Sequence, residues 1–185
     1  MTHFNGNLID VMVLFLGERS ISHSYGNKAV CDFIYDMLVY TGVPGDAIIY
    51  TSSNSGDSRI PQKQDIFDYL REFFVNSYSD EKIYVIYVTS EEMGGSWPAV
   101  SEVGAGWITQ NQHDIFNINN FNPRKPLDVD SPWANMAFEE GNIRLNQMEL
   151  DIIADKLIYA CTQLSFNSQP KDDVLREIRR RVLIA

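Results

Sequence analysis

Lys82-Ile-Tyr-Val-Ile-Tyr-Val88 is the stretch that decides the fold. After the lysine every residue is β-branched or aromatic, the composition that favours strands. No polar residue alternates with these, so both faces of the strand are expected to be buried, as in a parallel sheet covered by helices. Upstream, Ile66, Phe67, Leu70, Phe73 and Phe74 recur at helical spacing, with Pro61 near the helix start, where proline is tolerated. Before that helix lies the short strand Ala47-Ile-Ile-Tyr50. Val30, Phe33, Ile34, Met37 and Leu38 mark an earlier helix, ended by Gly42 with Pro44 beyond it. Asp10-Val-Met-Val-Leu-Phe-Leu16 reads as another buried strand. Downstream, 97–107 reads as a helix with Pro98 in its first turn, and Asp114-Ile-Phe-Asn-Ile118 as a short strand. Residues 120–142 read as irregular, with one helical turn near 133–139. Leu150, Ile153, Leu157 and Ala160 mark a long helix over about 145–164, and a last helix over about 171–183 follows Pro170.

Short strands alternating with longer helices predict an α/β fold built from βαβ units. Four to five parallel strands with helices on both faces are expected. In such sheets ligands bind outside the carboxyl ends of the strands. The polar loops 17–26, 51–61 and 89–96 each follow a strand, so they belong to that edge.

A chain of 185 residues is about one domain's length, and 44% hydrophobic with 22% charged is an ordinary globular composition. No apolar run reaches the ~18–20 residues of a membrane span, and the N-terminus has no basic signal-like region, so a cytoplasmic protein with no membrane partner is expected. The net charge of −10 disfavours nucleic acid. Arg179-Arg180-Arg181 reads instead as the cation-rich last turn of a helix. Cys31 and Cys161 sit in apolar helical patterns and read as reduced core thiols, and no Cys/His cluster has the spacing of a metal site.

The chemistry lies in Ser90-Glu-Glu-Met-Gly-Gly-Ser96-Trp97-Pro-Ala-Val-Ser-Glu102-Val-Gly-Ala-Gly106. From spacing alone Glu102 is either a solvated helix residue or a site carboxylate. The segment resembles the TIR (Toll/interleukin-1 receptor) family, in which a strand ends at a serine, a second serine follows six residues on, and a glutamate six after that. Ser90, Ser96 and Glu102 have this spacing. Ser52 to Ile66, running through Gly56 and Ile60-Pro61, is similar to the family's BB loop, and Ile21-Ser22-His23-Ser24 is similar to an Ile-Ser-His-Ser motif of bacterial members. One departure concerns Trp97. It stands five residues before Glu102, where family members with a Trp-x-x-x-Glu motif place it four before, and Pro98 fills that position. The likeness spans about residues 10–160. It implies a flavodoxin-like TIR fold over 1–165, with 166–185 as a C-terminal helical extension.

The resemblance further implies an enzyme that cleaves the nicotinamide–ribose bond of NAD⁺, with NAD⁺ as substrate and no separate cofactor or metal. The transition state has oxocarbenium character, and a carboxylate under the ribose, here Glu102, stabilises its charge. Nicotinamide leaves as a neutral base, so no general acid is essential. Ser22, His23 and Ser24 either line the ribose or nicotinamide pocket or form a local serine turn. Arg59 either holds the pyrophosphate or is a solvated loop charge. Ser96 either contacts substrate or caps the following helix, and Trp97 is either a stacking plate or a core aromatic.

Small bacterial members of this shape look like the signalling subunit of Thoeris-type antiphage defence, which turns NAD⁺ into a cyclic ADP-ribose isomer or conjugate read by a separate effector. Family members generally self-associate for catalysis. Two other readings remain at this point. One is a non-catalytic TIR adaptor that works by homotypic assembly. The other is a nucleoside deoxyribosyltransferase-like enzyme with a nucleophilic carboxylate.

Overall fold

The computed structural model describes residues 10–15, 25–50, 83–91, 104, 112–122 and 133–185. The expected helices at 61–74 and 97–107 lie outside these, apart from Gly104, which is helical. Seven strands are described: β1 Asp10–Phe15, β2 Ile48–Tyr50, β3 Ile83–Thr89, β4 Gln112–Ile118, β5 Ala134–Glu139, β6 Asn142–Leu145 and β7 Leu183–Ile184. The described helices, numbered in chain order, are α1 Tyr25–Thr41, α2 Gln147–Gln163 and α3 Lys171–Arg181.

The strands form one sheet in the order β2-β1-β3-β4-β5-β6-β7. The first five run parallel, β6 is antiparallel to β5, and β7 is parallel to β6. The order 2-1-3-4-5 is that of a flavodoxin-like α/β fold. Tyr84 through Val88 are all buried in succession, so both faces of β3 are covered.

On one face, Tyr84, Ile86, Val88, Phe116, Ile118, Ala134 and Met136 share a core with Val30, Ile34 and Met37 of α1, Leu150, Ile153 and Leu157 of α2, and Val174 and Ile178 of α3. Three helices therefore pack on that face. Arg181 of α3 reaches Asp36 of α1 at 2.7 Å. Within the core face, Lys156 of α2 meets Asp114 of β4 at 2.5 Å, and the Tyr84 hydroxyl donates to the other Asp114 oxygen at 2.5 Å. Lys156 is buried, so this pair holds α2 against the amino half of β3 and β4.

Local signals explain the helix ends. Asn146 accepts from the Glu149 amide while Glu149 accepts from the Asn146 amide, a reciprocal cap that starts α2. Gly42 ends α1 at φ 131°, a conformation side chains rarely adopt, and its amide returns to Leu38. Cys31 and Cys161 are both buried free thiols.

One expectation is corrected. Residues 133–139 hold no helical turn; 134–139 are β5. A tight turn at Glu140 and Gly141, with φ of 50° and 83°, joins β5 to β6 as a hairpin. Positive φ at both central residues suits the twist of antiparallel strands.

Candidate functional site

Strand order fixes where a ligand site forms. In a 2-1-3-4-5 sheet the order reverses between β1 and β3, so the crevice opens beyond their carboxyl ends. Phe15 is in register with Val88, so these two strands end at almost the same level. Two of the three segments that carry the sequence motifs, 16–24 and 92–111, follow these strands, and the third follows β2.

Glu102, Ser22, His23, Ser24, Arg59, Ser96 and Trp97 all lie outside the described residues. Ser90 is described: it follows the end of β3 and is buried.

The register turns the carboxyl edge into a staircase. Tyr50, the last residue of β2, pairs with Val13, two residues short of the end of β1. Thr89, the last of β3, pairs with Asn117, and Asn117 pairs with Asn135, only the second residue of β5. The rim thus rises from β2 to β5, and β5 stands beyond it as a wall.

At the low end of the staircase the Tyr50 hydroxyl donates to Asp32 at 2.9 Å, and Lys28 meets the same carboxylate at 2.6 Å. Tyr35 stacks on Tyr50 with ring centres 5.9 Å apart. Burial pushes the Tyr50 phenol well above its ordinary range, and the neighbouring Cys31 and Asp32 push it further. Tyr50 therefore stays a neutral donor, pinning to α1 the point where the 51–61 segment begins.

At the high end lies a polar row. Thr89, Asn117 and Asn135 occupy one level on three adjacent strands, so they share a face. Asn117 follows Phe116 of the three-helix core, so the row is on the opposite face. The Thr89 hydroxyl donates to the side-chain amide oxygen, Oδ1, of Asn117. Among the described residues three buried side-chain polar atoms have no hydrogen-bond partner: Asn117 Nδ2, Asn135 Oδ1 and Trp133 Nε1. Each such atom costs about 1–3 kcal/mol of lost hydration. Two of them belong to this row, and Trp133 stands two residues before Asn135. The sequence offered no local sign of the row, because only strand register brings Thr89, Asn117 and Asn135 together.

No family model matches the chain, and no solved structure matches it significantly. The chain is similar to the uncharacterized protein YddK of Bacillus subtilis (strain 168), with 35% identity over 120 residues. The alignment covers 65% of this chain and 42% of YddK, so the chain spans about two fifths of that relative's length. Among the described residues no helix is long and apolar enough to cross a membrane.

Proposed function

We propose that this chain is an NAD⁺-consuming enzyme of the TIR kind, with Glu102 as the carboxylate that stabilises the ribosyl cation as nicotinamide departs. The observation that carries the reading is the sheet order. Sheets of this order bind ligands at such a reversal, here between β1 and β3, and two of the motif-bearing segments follow those strands, which supports the reading.

The chemistry asks little of the protein beyond charge and position. The C–N bond breaks with its electron pair going to nicotinamide, and the ribose carbon is left electron-poor. A fixed carboxylate against it lowers the barrier without transferring a proton. Water, a hydroxyl of the same molecule or a second nucleophile then closes the reaction, giving ADP-ribose, a cyclic isomer or a conjugate. A diffusible product of this type suits signalling in antiphage defence, with self-association through TIR–TIR contacts completing the site.

The test is product analysis by liquid chromatography and mass spectrometry on NAD⁺, with and without lysate of phage-infected cells. Glu102→Gln is expected to keep the fold and lose about 100-fold or more of the turnover. Undiminished release by that variant removes Glu102 from catalysis. No release under either condition leaves the adaptor reading.

A further inference from the structure

We infer that the row formed by Thr89, Asn117 and Asn135, together with the Trp133 indole N–H, is a recognition site for a planar donor–acceptor edge. Such an edge is a primary carboxamide or the amino-purine edge of adenine. NAD⁺ carries both, so the inference takes the ligand's identity from the NAD⁺ reading, but its position comes from the sheet alone.

Four observations converge. First, the row lies at the carboxyl edge of three parallel strands, the edge on which open α/β sheets bind ligands. Second, of the three unpartnered buried side-chain polar atoms among the described residues, two are on the register partners Asn117 and Asn135 and the third is on Trp133, two residues before Asn135. Buried amides and indoles are nearly always bonded, so a cluster of exceptions calls for a partner.

Third, the chemistry is complementary. Asn117 Nδ2 and Trp133 Nε1 donate, and Asn135 Oδ1 accepts. Asn117 and Asn135 are register partners on neighbouring strands, about 5 Å apart at the backbone. They do not satisfy each other, but one small planar group spans that distance. A carboxamide oxygen or a purine ring nitrogen accepts from the donors, and the adjoining amino group donates to Asn135. The same amide geometry lets an asparagine read adenine through two hydrogen bonds. Reversing the Asn117 amide leaves its oxygen free instead of its nitrogen, so one end stays unpaired either way.

Fourth, the row is graded. Thr89 and Asn117 are fully buried, whereas Asn135 and Trp133 are half-buried. The β5 side of the row is therefore the less covered one. The Thr89 hydroxyl, committed to Asn117, orients the amide and acts as a positioning group.

The experiment is calorimetric binding of nicotinamide, AMP and ADP-ribose, each separately, to the full chain and to Asn117→Leu, Asn135→Leu and Trp133→Phe. Trp133→Phe removes the N–H along with the five-membered ring but preserves a large aromatic, so it remains informative if an asparagine variant does not fold. At least one probe is expected to bind the wild type, and all three variants are expected to weaken it tenfold or more. Nicotinamide as that probe assigns the carboxamide, and AMP with ADP-ribose assigns the adenine. Thermal melting without ligand is expected to show Asn135→Leu no less stable than the wild type, because its lost oxygen had no partner. Unchanged affinity in Trp133→Phe and Asn135→Leu overturns the inference, as does the absence of binding by every probe. A lower melting temperature with unchanged affinity makes the row structural and also overturns it. If the row fails, nicotinamide release by the wild type is untouched. If the NAD⁺ reading fails, release is absent but binding of a probe and its loss in the variants still stand.

Discussion

The most consequential single residues in the described core are charged or polar ones in apolar surroundings. Lys156 and Asp114 face each other at 2.5 Å with little solvent, and Tyr84 adds a hydrogen bond to the same carboxylate. Removing one member of a buried pair strands the other charge, at about 3–5 kcal/mol. Lys156→Met is therefore expected to lower stability by about that amount in urea denaturation, and Asp114→Asn added to it is expected to recover part of the loss. A double-variant cost equal to the sum of the two single-variant costs would show that the two charges are not coupled. Neither this pair nor the Thr89–Asn117–Asn135 row was legible in the sequence, since each joins residues far apart along the chain. The expectation for Glu102 is of the opposite kind: it rests on a local spacing from Ser90 and Ser96, and Glu102 lies outside the described residues.

At the level of elements, legibility followed the strength of the local pattern. The β-branched run at 83–88 became β3, and the apolar spacing from Leu150 to Ala160 became α2. Ala134-Asn-Met-Ala-Phe-Glu139 was missed because alanine, asparagine and glutamate are poor strand formers, and its burial against the helices could not be anticipated. The turn after it uses Glu140-Gly141, a weaker signal than Asn-Gly or Asp-Gly. The two-residue β7 is too short to show any period. Gly42, by contrast, was read correctly as a helix stop, and the structure makes it indispensable there. A Cβ would stand 2.3 Å from the Asn167 carbonyl oxygen, in backbone that disfavours any side chain. Gly42→Ala is expected to cost about 2–4 kcal/mol from strain and overlap together. An unchanged urea midpoint would mean that the segment over Gly42 gives way freely.

The whole molecule shows its cooperativity in two phenols. Tyr50 lies at the carboxyl end of the sheet and Tyr84 toward the amino end, and both are buried in the one core shared by α1, α2 and α3. Burial first, and neighbouring negative groups second, raise both well above their ordinary value of 10.0. With the folded value above the unfolded one, their contribution to stability is complete below about pH 10 and is lost as pH rises beyond it. In an alkaline titration of the nine tyrosines, absorbance at 295 nm is expected to leave these two un-ionised until circular dichroism reports unfolding. Replacing either with phenylalanine removes one late-ionising phenol. Ionisation of all nine before any structural loss would mean that both ends open locally without global unfolding.

The seven-stranded sheet is bounded among the described residues by β2, with three residues, and by β7, with two. So few free backbone donors and acceptors make a poor template for a neighbour's strand, the usual route by which open sheets polymerise into fibres. Side-by-side growth is thus blunted at both margins. The self-association proposed above is therefore expected to run through side chains rather than through added strands.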